Sequence, residues 1–197
     1  LSMHIPKRGY DIVQSTLPEA MAMVDQHDFN LTEIPELSSY SAIGVGCGLG
    51  QHENTQHAIR QLLDKAEQPL VLDADALNII SRHQDWQGKL PQGSILTPHP
   101  KEFERLFGES HNQFERLELQ RAKAQELGVI IVLKGAHTCT VTPDGQCFFN
   151  STGNPGMATG GSGDVLAGLI TGLLAQSYTP EDAAVLGVYL HGRAGDL

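Results

Sequence analysis

Positive charge is scarce in this sequence, and no segment concentrates it. The 197 residues include 13 lysines and arginines against 23 aspartates and glutamates, which gives a formal net charge of −10. Nucleic acids and anionic membranes both require a basic patch, so neither is an expected partner. Uninterrupted apolar runs are short as well, and none approaches the roughly 18 residues of a transmembrane helix. These absences exclude nucleic-acid-binding and membrane-spanning proteins.

Cysteine is scarce too. The three cysteines, Cys47, Cys139 and Cys147, have no metal-ligand spacing and are too few for a disulfide framework. Reduced thiols are typical of a cytoplasmic enzyme, which is the location we expect. The length suffices for a single domain with a real core. Residues 1–5 already have the pattern of a strand and residues 181–197 stop within a helical pattern, so we expect one domain over 1–197 that is incomplete at both ends, with N-terminal strands missing.

Short apolar runs alternate with amphipathic stretches. The runs predicted to be strands are residues 1–5, 41–45, 70–73, 94–97 and 129–133. The predicted helices are residues 18–24, 53–66, 75–81, 101–107, 112–127, 164–175 and 180–193. This alternation indicates an α/β fold, a mostly parallel sheet with helices on both faces. An antiparallel hairpin is predicted within 138–150, because Pro143-Asp144-Gly145 is typical of a turn.

The strongest chemical signal lies just before the apolar run that starts at Val165. Gly160, Gly161 and Gly163 allow consecutive N–H groups to approach a ligand. A helix that begins at or just after Asp164 aims unpaired N–H groups and its positive dipole end at the same point, which fits a phosphate. A phosphate repels a carboxylate unless that carboxylate acts as a base or meets it through a metal ion. Asp164 therefore indicates phosphoryl chemistry, the alternative being a simple N-cap.

Polar and glycine residues also follow the other predicted strands. Gly48 lies after the second strand, and Asp73, Asp75 and Asn78 lie at the end of the third. Ligands of open α/β sheets bind beyond the carboxyl ends of the strands, so we expect these residues near one site. The loop around Gly48 can equally be a tight turn, and one of the two aspartates can cap the next helix.

His99 and Lys134 follow the last two predicted parallel strands. His99 stands between two prolines, which stiffen the turn and hold the imidazole at one angle. It can serve substrate contact or be structural. Lys134 ends an apolar strand, where it either reaches a nucleotide phosphate or remains solvated. Lys101 and Glu102 are expected to begin the next helix as solvated residues.

Two familiar nucleotide motifs are absent. The glycines between Gly44 and Gly50 fall at every second position, which is not the dinucleotide-binding spacing Gly-x-Gly-x-x-Gly. No Gly-x-x-x-x-Gly-Lys-Ser/Thr occurs, so any nucleotide is held without a Walker lysine. His191, in the last predicted helix, is assigned no chemistry.

Several segments carry a family resemblance. They are NPGMATGGSGDVLAG (154–168), LTPHPKE (96–102), VLDADALN (71–78), VLKGAHT (132–138) and GCGLG (46–50). Together they resemble the ADP/ATP-dependent NAD(P)H-hydrate dehydratases, repair enzymes of the ribokinase-like superfamily. The first segment is the most specific, because other ribokinase-like members share little beyond Gly-x-Gly-Asp. Family members normally begin with a further strand and a glycine-containing segment that helps enclose the substrate, which nothing here matches.

The resemblance implies roles for individual residues. Asp164 is implied as the catalytic carboxylate that contacts the substrate hydroxyl. The implied anion hole consists of Gly161, Ser162 and Gly163, of which Gly163 also contacts the nucleotide. The implied nucleotide-contacting stretch is Lys134, Gly135, Ala136, His137 and Thr138. Substrate contacts are implied for Gly48 and His99, and a supporting role for Asp75 and Asn78.

The resemblance also implies an activity. Hydrated NADH or NADPH is phosphorylated on its ring hydroxyl from ADP or ATP, with Mg²⁺, and loss of phosphate restores the ring double bond. No Mg²⁺ ligand is assigned. The implied partners are further copies of the same chain, in a homotetramer, and an epimerase of the hydrate that is either fused or separate. The alternatives are a small-molecule kinase of the same superfamily, acting on a sugar or vitamin precursor, and a non-catalytic nucleotide-binding module.

Overall fold

The computed structural model describes all 197 residues and has the predicted α/β composition. The strands are β1 Ser2–Ile5, β2 Met21–Val24, β3 Ile43–Val45, β4 Leu70–Leu72, β5 Ile95–Leu96, β6 Ile130–Leu133, β7 Cys139–Val141 and β8 Cys147–Phe149. The helices are α1 Tyr10–Thr16, α2 Glu53–Lys65, α3 Ala74–Arg82, α4 Pro100–Phe107, α5 Gln113–Leu127, α6 Ser162–Ala175 and α7 Pro180–Gly195. None of these helices has the length and apolar character needed to cross a bilayer.

The main sheet has six strands whose spatial order follows the chain, from β3 to β8. Strands β3 to β6 are parallel, as predicted. Strands β7 and β8 are antiparallel and form the predicted hairpin, in which Val141 pairs with Cys147. A separate parallel pair, β1 and β2, forms a second small sheet. The predicted mostly parallel sheet is therefore confirmed.

Each face of the main sheet has its own apolar core. In β4, Leu70 and Leu72 belong to the core beneath α2 to α5, whereas Val71 belongs to the core beneath α6 and α7. Strand β6 divides in the same way, with Ile131 on the first face and Ile130 on the second. Successive side chains of a strand point to opposite faces, so a strand buried on both sides needs an unbroken apolar run. This explains why the observed strands Leu70–Leu72 and Ile130–Leu133 are apolar throughout.

Two glycines set how closely α6 packs. A Cβ on Gly44 of β3 would lie 2.4 Å from Thr171 Oγ1 of α6, and a Cβ on Gly187 of α7 would lie 2.6 Å from Ile170 Cγ1. Larger side chains at these positions would push α6 away from the sheet or from α7. The glycines therefore hold α6 against β3, next to the loop that follows this strand.

The prediction of a helix over residues 18–24 is wrong. The segment contains β2, whose Met21 pairs with Ser2 of β1, and the helix of this region is α1, which comes earlier. The four residues of β2, Met-Ala-Met-Val, are compatible with a helix or a strand by composition. Pairing with β1 makes them a strand, since strand propensity depends strongly on context. Helix α1 was not predicted because none of its residues is buried, so no apolar stripe marks it.

Replacing a core aromatic residue tests this layering. Phe103 of α4 is fully buried and packs edge-to-face on Phe107, with ring centroids 5.1 Å apart. We expect Phe103→Ala to lower the free energy of unfolding by about 3–5 kcal/mol in a urea titration, because it leaves a cavity. Phe114→Ala is the matched control, since Phe114 is 82% exposed and its loss should change stability by no more than about 0.5 kcal/mol. Equal effects of the two variants would contradict the assignment of the core.

Candidate active site

The ends of the parallel strands are tied together one residue beyond each strand. The bonds run from Asp73 N–H to Val45 O (3.1 Å), from Thr97 N–H to Leu72 O (3.0 Å) and from Lys134 N–H to Pro98 O (2.9 Å). The loops that follow β3, β4, β5 and β6 therefore start side by side. This is the sheet edge at which a ligand of an open α/β fold binds.

The loop after β3 requires glycine at its first position. Gly46 has φ +135°, and a Cβ there would lie 1.8 Å from Asp73 O. Farther along, Gly50 N–H donates to Asp75 Oδ2 at 2.8 Å and the Gln51 side chain donates to Asp75 Oδ1 at 3.0 Å. Asp75 thus supports the loop that presents Gly48, which is exposed with φ +62°. Asp75 anchors this loop and does not cap α3.

A buried ion pair lies in the middle of this edge. Lys134 Nζ is 2.7 Å from Asp73 Oδ1, and Asp73 is 1% exposed. Asp73 stands at the N-cap position of α3, but its side chain makes no capping bond. A buried carboxylate requires a partner, and Lys134 supplies it. Two of the alternatives that the sequence allowed are therefore wrong: Asp73 does not cap α3, and the Lys134 ammonium group is paired with a carboxylate.

Helix α6 begins two residues earlier than predicted. Gly161, with φ +88°, occupies the N-cap position without any side-chain cap, and Ser162 is the first helical residue. Asp164 therefore lies within the first turn and is not the N-cap. Ser162 N–H reaches Thr159 O at 3.3 Å, whereas the N–H groups of Gly163 and Asp164 find no acceptor in the protein. These free donors sit at the positive end of the helix dipole.

The first turn of α6 packs directly on the ion pair. A Cβ on Gly163 would lie 3.3 Å from Lys134 Nζ and 3.5 Å from Asp73 Oδ2. A methyl group at this position would be in tight contact with the ammonium group, so the end of the Lys134 side chain would have to move by a few tenths of an ångström. Free N–H donors thus share one small volume with an ammonium group whose charge Asp73 balances. An anion that binds there meets both.

Asp164 and Cys47 complete the cluster. One side-chain ligand atom from each of Cys47, Asp73 and Asp164 lies within 4.8 Å of the other two. Cys47 is exposed as a residue, but desolvation of its thiol, together with the nearby carboxylates of Asp164 and Asp73, raises the pKa of Cys47 to about 12. The thiol is therefore protonated at neutral pH. Sequence reasoning missed Cys47 because it considered only metal and disulfide spacing, although the residue lies inside the glycine loop.

His99 is held by the start of α4. Its Nδ1 accepts from the N–H groups of Lys101 (3.1 Å) and Glu102 (3.3 Å), and Glu102 Oε2 accepts from His99 N–H at 2.8 Å. This reciprocal pattern is a capping box. Glu102 is only 5% exposed, so the expectation that it is solvated is wrong. The other ring nitrogen, Nε2, lies 3.4 Å from Glu102 Oε1, so Glu102 also contacts the half-exposed ring through its side chain.

The other predicted residues lie at two places, in the turn after β6 and on α3. Gly135, Ala136 and His137 are exposed after β6, and Thr138 closes this turn by accepting from Gly135 N–H and donating to Gly135 O. Asn78 is turned elsewhere, since its Oδ1 accepts from Arg105 at 2.6 Å. His191 of α7, which the sequence did not single out, lies 3.4 Å from Ser162 Oγ. Burial lowers the pKa of His191.

The environment of Cys47 makes a testable prediction. With a pKa of about 12, only roughly one thiol in ten thousand is ionised at pH 8, against about a quarter for an ordinary cysteine. Since the thiolate is the nucleophile, iodoacetamide should alkylate Cys47 far more slowly than a free thiol, at a rate that rises about tenfold per pH unit. Mass spectrometry of the peptide that contains Cys47 measures this rate.

Asp164→Asn is the informative variant for that experiment. It removes a carboxylate that raises the pKa of the thiol, so alkylation of Cys47 should become faster at a given pH. Asp85→Asn, an exposed change outside the cluster, is the control and should leave the rate unchanged. Alkylation of the unsubstituted protein as fast as a free thiol at pH 8 would contradict the raised pKa of Cys47.

Known proteins resemble this chain over nearly its whole length. A family model described as NAD(P)H-hydrate dehydratase matches residues 4–197. The bifunctional NAD(P)H-hydrate repair enzyme Nnr of Moorella thermoacetica is 41% identical over 188 residues, which cover 94% of this chain and 36% of that protein. The chain thus spans little more than a third of that curated relative.

Solved structures agree with this similarity. The ADP/ATP-dependent NAD(P)H-hydrate dehydratase of Bacillus subtilis, co-crystallised with ATP/Mg²⁺, superimposes with a TM-score of 0.80 at 36% identity, covering 98% of this chain and 68% of that one. A ribokinase-like superfamily protein of Enterococcus faecalis gives a TM-score of 0.79 at 30% identity, covering 99% of this chain and 68% of the other. The predicted ribokinase-like fold is confirmed.

Proposed function

The chain belongs to the NAD(P)H-hydrate dehydratase family, and we propose that its parent protein is a hydro-lyase that repairs hydrated NADH and NADPH at the cost of ADP or ATP. One observation carries the proposal most directly. The free N–H donors of α6, the exposed carboxylate of Asp164 and the Asp73–Lys134 pair meet at the carboxyl edge of the sheet. This combination suits transfer of a phosphoryl group to a hydroxyl.

The reaction replaces a poor leaving group with a good one. Asp164 takes the proton of the ring hydroxyl while its oxygen attacks the terminal phosphorus of the nucleotide. The bond from that phosphorus to the bridging oxygen breaks, and AMP or ADP leaves. The ring C–O bond then breaks with its electron pair going to phosphate, and the neighbouring ring carbon loses a proton. The ring double bond is restored, and the hydroxyl oxygen leaves in the phosphate.

The nucleotide side is assigned to two segments. Gly161, Ser162 and Gly163 are assigned as the anion hole. The N–H of Gly163 is free, whereas the N–H of Ser162 donates to Thr159 O at 3.3 Å and would have to leave that bond to reach a ligand. Each donor to the transferring phosphoryl group contributes roughly 2.7–4 kcal/mol of transition-state stabilisation. The second segment contacts the nucleotide and comprises Lys134, Gly135, Ala136, His137 and Thr138. The support for Lys134 is its fixed ammonium group beside Gly163.

The substrate side is assigned to Gly48, His99 and Asp164. The loop of Gly48 reaches Asp164 through its neighbour Cys47, whose Sγ lies within 4.8 Å of a carboxylate oxygen of Asp164. His99 is held in place by the capping box and by Glu102 Oε1, and its half-exposed ring is the surface that a ligand would contact. Asp75 supports the Gly48 loop, and Asn78 continues the same face of α3.

Mg²⁺ fits the oxygen donors present. The ion is usually bound by one or two carboxylates together with substrate phosphates, and Asp73 and Asp164 offer neighbouring carboxylate oxygens. These two residues would hold it. When bound, the ion neutralises charge on the phosphates.

Assembly and location complete the proposal. We assign residues 1–197 to a single dehydratase domain that assembles as a homotetramer in the cytoplasm. An epimerase of the hydrate is the expected partner, fused or separate, and the bifunctional relative from Moorella thermoacetica is consistent with the fused arrangement.

Replacing Asp164 tests its role as the base. In the full-length protein we expect Asp164→Asn to lower the rate at which reduced-nicotinamide absorbance recovers from hydrated NADH by about 10²–10⁴-fold, because the amide cannot accept the proton. Calorimetric binding of ADP should remain largely intact. Asp85→Asn, which changes an exposed aspartate on the surface, is the control and should keep full activity.

The outcomes separate the proposals. Substantial activity in Asp164→Asn would remove this residue from its role. A stable phosphorylated product, without recovery of absorbance, would identify a small-molecule kinase of the same superfamily. Nucleotide binding without Mg²⁺-dependent phosphate release would indicate a non-catalytic module.

A further inference from the structure

A polar pocket lies between α3 and α4, beside the end of the Gly48 loop. It has a volume of about 350 Å³, and no apolar residue lines it. The lining residues are Gln51, Asn78, Ser81, Arg82 and Arg105. The Gln51 amide already donates to Asp75 and the Ser81 hydroxyl to Asn78 O. The two guanidinium groups are therefore the main donors that remain for a ligand.

Neither arginine of this pocket is neutralised by a carboxylate. Arg105 Nη1 donates to the neutral Asn78 Oδ1, and Arg82 makes no side-chain bond or salt bridge. Most other arginines of the chain pair with acidic side chains, namely Arg60, Arg116, Arg121 and Arg193. In a chain of net charge −10, two unpaired guanidinium groups in one pocket form a distinct positive centre.

The pocket lies on the same two helices that begin at the proposed substrate site, and it includes Gln51 of the Gly48 loop. Asp75, Asn78 and Arg82 are spaced i, i+3 and i+7, so they share one face of α3. Asp75 holds Gly50 and Gln51 at the top of that face. On α4, Arg105 follows His99 by six residues, about 9 Å along the axis. The two arginines therefore lie farther along α3 and α4 than the residues assigned to the hydrated ring.

We propose that Arg82 and Arg105 bind a phosphate group of the dinucleotide substrate. The inference rests on the proposed function, which places the hydrated ring near Gly48 and His99. The rest of a dinucleotide must then extend away from Asp164, and it carries a pyrophosphate and, in the NADPH form, a ribose phosphate. Guanidinium groups match phosphate oxygens with paired, charge-assisted hydrogen bonds. The pocket supplies them where an otherwise acidic protein must hold an anion.

Steady-state kinetics of the full-length protein test the proposal. Arg82→Gln and Arg105→Gln should each raise KM for the hydrated dinucleotide about tenfold, since each removes a charge-assisted contact. Because the pocket does not touch the reacting atoms, kcat should be nearly unchanged. Arg82→Lys keeps the charge but not the paired donors and should restore KM in part. Arg121→Gln, a surface change on α5, is the control and should leave KM unaltered.

The two forms of the substrate locate the phosphate. An increase in KM for both hydrated NADH and hydrated NADPH assigns the pocket to the pyrophosphate. An increase for hydrated NADPH alone assigns it to the ribose phosphate. An unchanged KM for both forms, or a loss confined to kcat, would overturn the proposal.

A binding measurement separates this proposal from the dehydratase activity. In protein with isotope-labelled arginine, titration of NADPH or inorganic pyrophosphate should shift the Nε–H resonances of Arg82 and Arg105 to saturation and leave Arg121 in place. Absence of catalysis in the unsubstituted protein would contradict the proposed function, whatever these shifts are. Shifts that do not saturate, or that match those of Arg121, would contradict the phosphate pocket.

Discussion

The buried ion pair between Asp73 and Lys134 is the interaction on which the site depends. It joins the end of β4 to the end of β6 across β5, and the first turn of α6 rests on it through Gly163. Removing one partner of such a pair leaves an uncompensated buried charge, a change that costs about 3–5 kcal/mol. The pair thereby fixes a positive charge beside free N–H donors. Without this pair, the first turn of α6 would lose the side chains against which Gly163 packs.

Glycines, which have no side chain, determine how closely the other elements pack at the carboxyl edge of the sheet. Gly46 lets the loop after β3 pass against the backbone of Asp73, Gly44 lets α6 approach β3, and Gly163 lets α6 touch the ion pair. At Gly46 and Gly44 a Cβ would overlap its neighbours, whereas at Gly163 it would be in tight contact with the ammonium group of Lys134. Asp75 then holds the far end of the β3 loop on α3. The same face of α3 leads to Arg82, so one helix supports both the proposed reacting end and the proposed phosphate end of a dinucleotide.

The sheet and its layers could be predicted because the signal is local. Apolar runs such as Leu70–Leu72 and Ile130–Leu133 must be buried on both sides, and the turn at Asp144 and Gly145 marks the hairpin. The contacts within the site were not predictable in this way. Asp73 and Lys134 are 61 residues apart in the sequence. Each also has a simpler local role, since an aspartate there can cap a helix and a lysine at the end of a strand can be solvated. His99 caps α4 although histidine is not a preferred capping residue, so nothing adjacent to it indicated the buried Glu102.

The fate of one oxygen atom tests the central claim, that the site transfers a phosphoryl group to the ring hydroxyl before elimination. Hydrated NADH labelled with oxygen-18 at that hydroxyl is converted by the full-length protein with ADP or ATP and Mg²⁺, and the released phosphate is analysed by mass spectrometry. If the oxygen attacks phosphorus and leaves with it, the label appears in phosphate, one atom per turnover. Label found in water, with unlabelled phosphate, would mean that nucleotide hydrolysis and dehydration are separate events and would contradict the account.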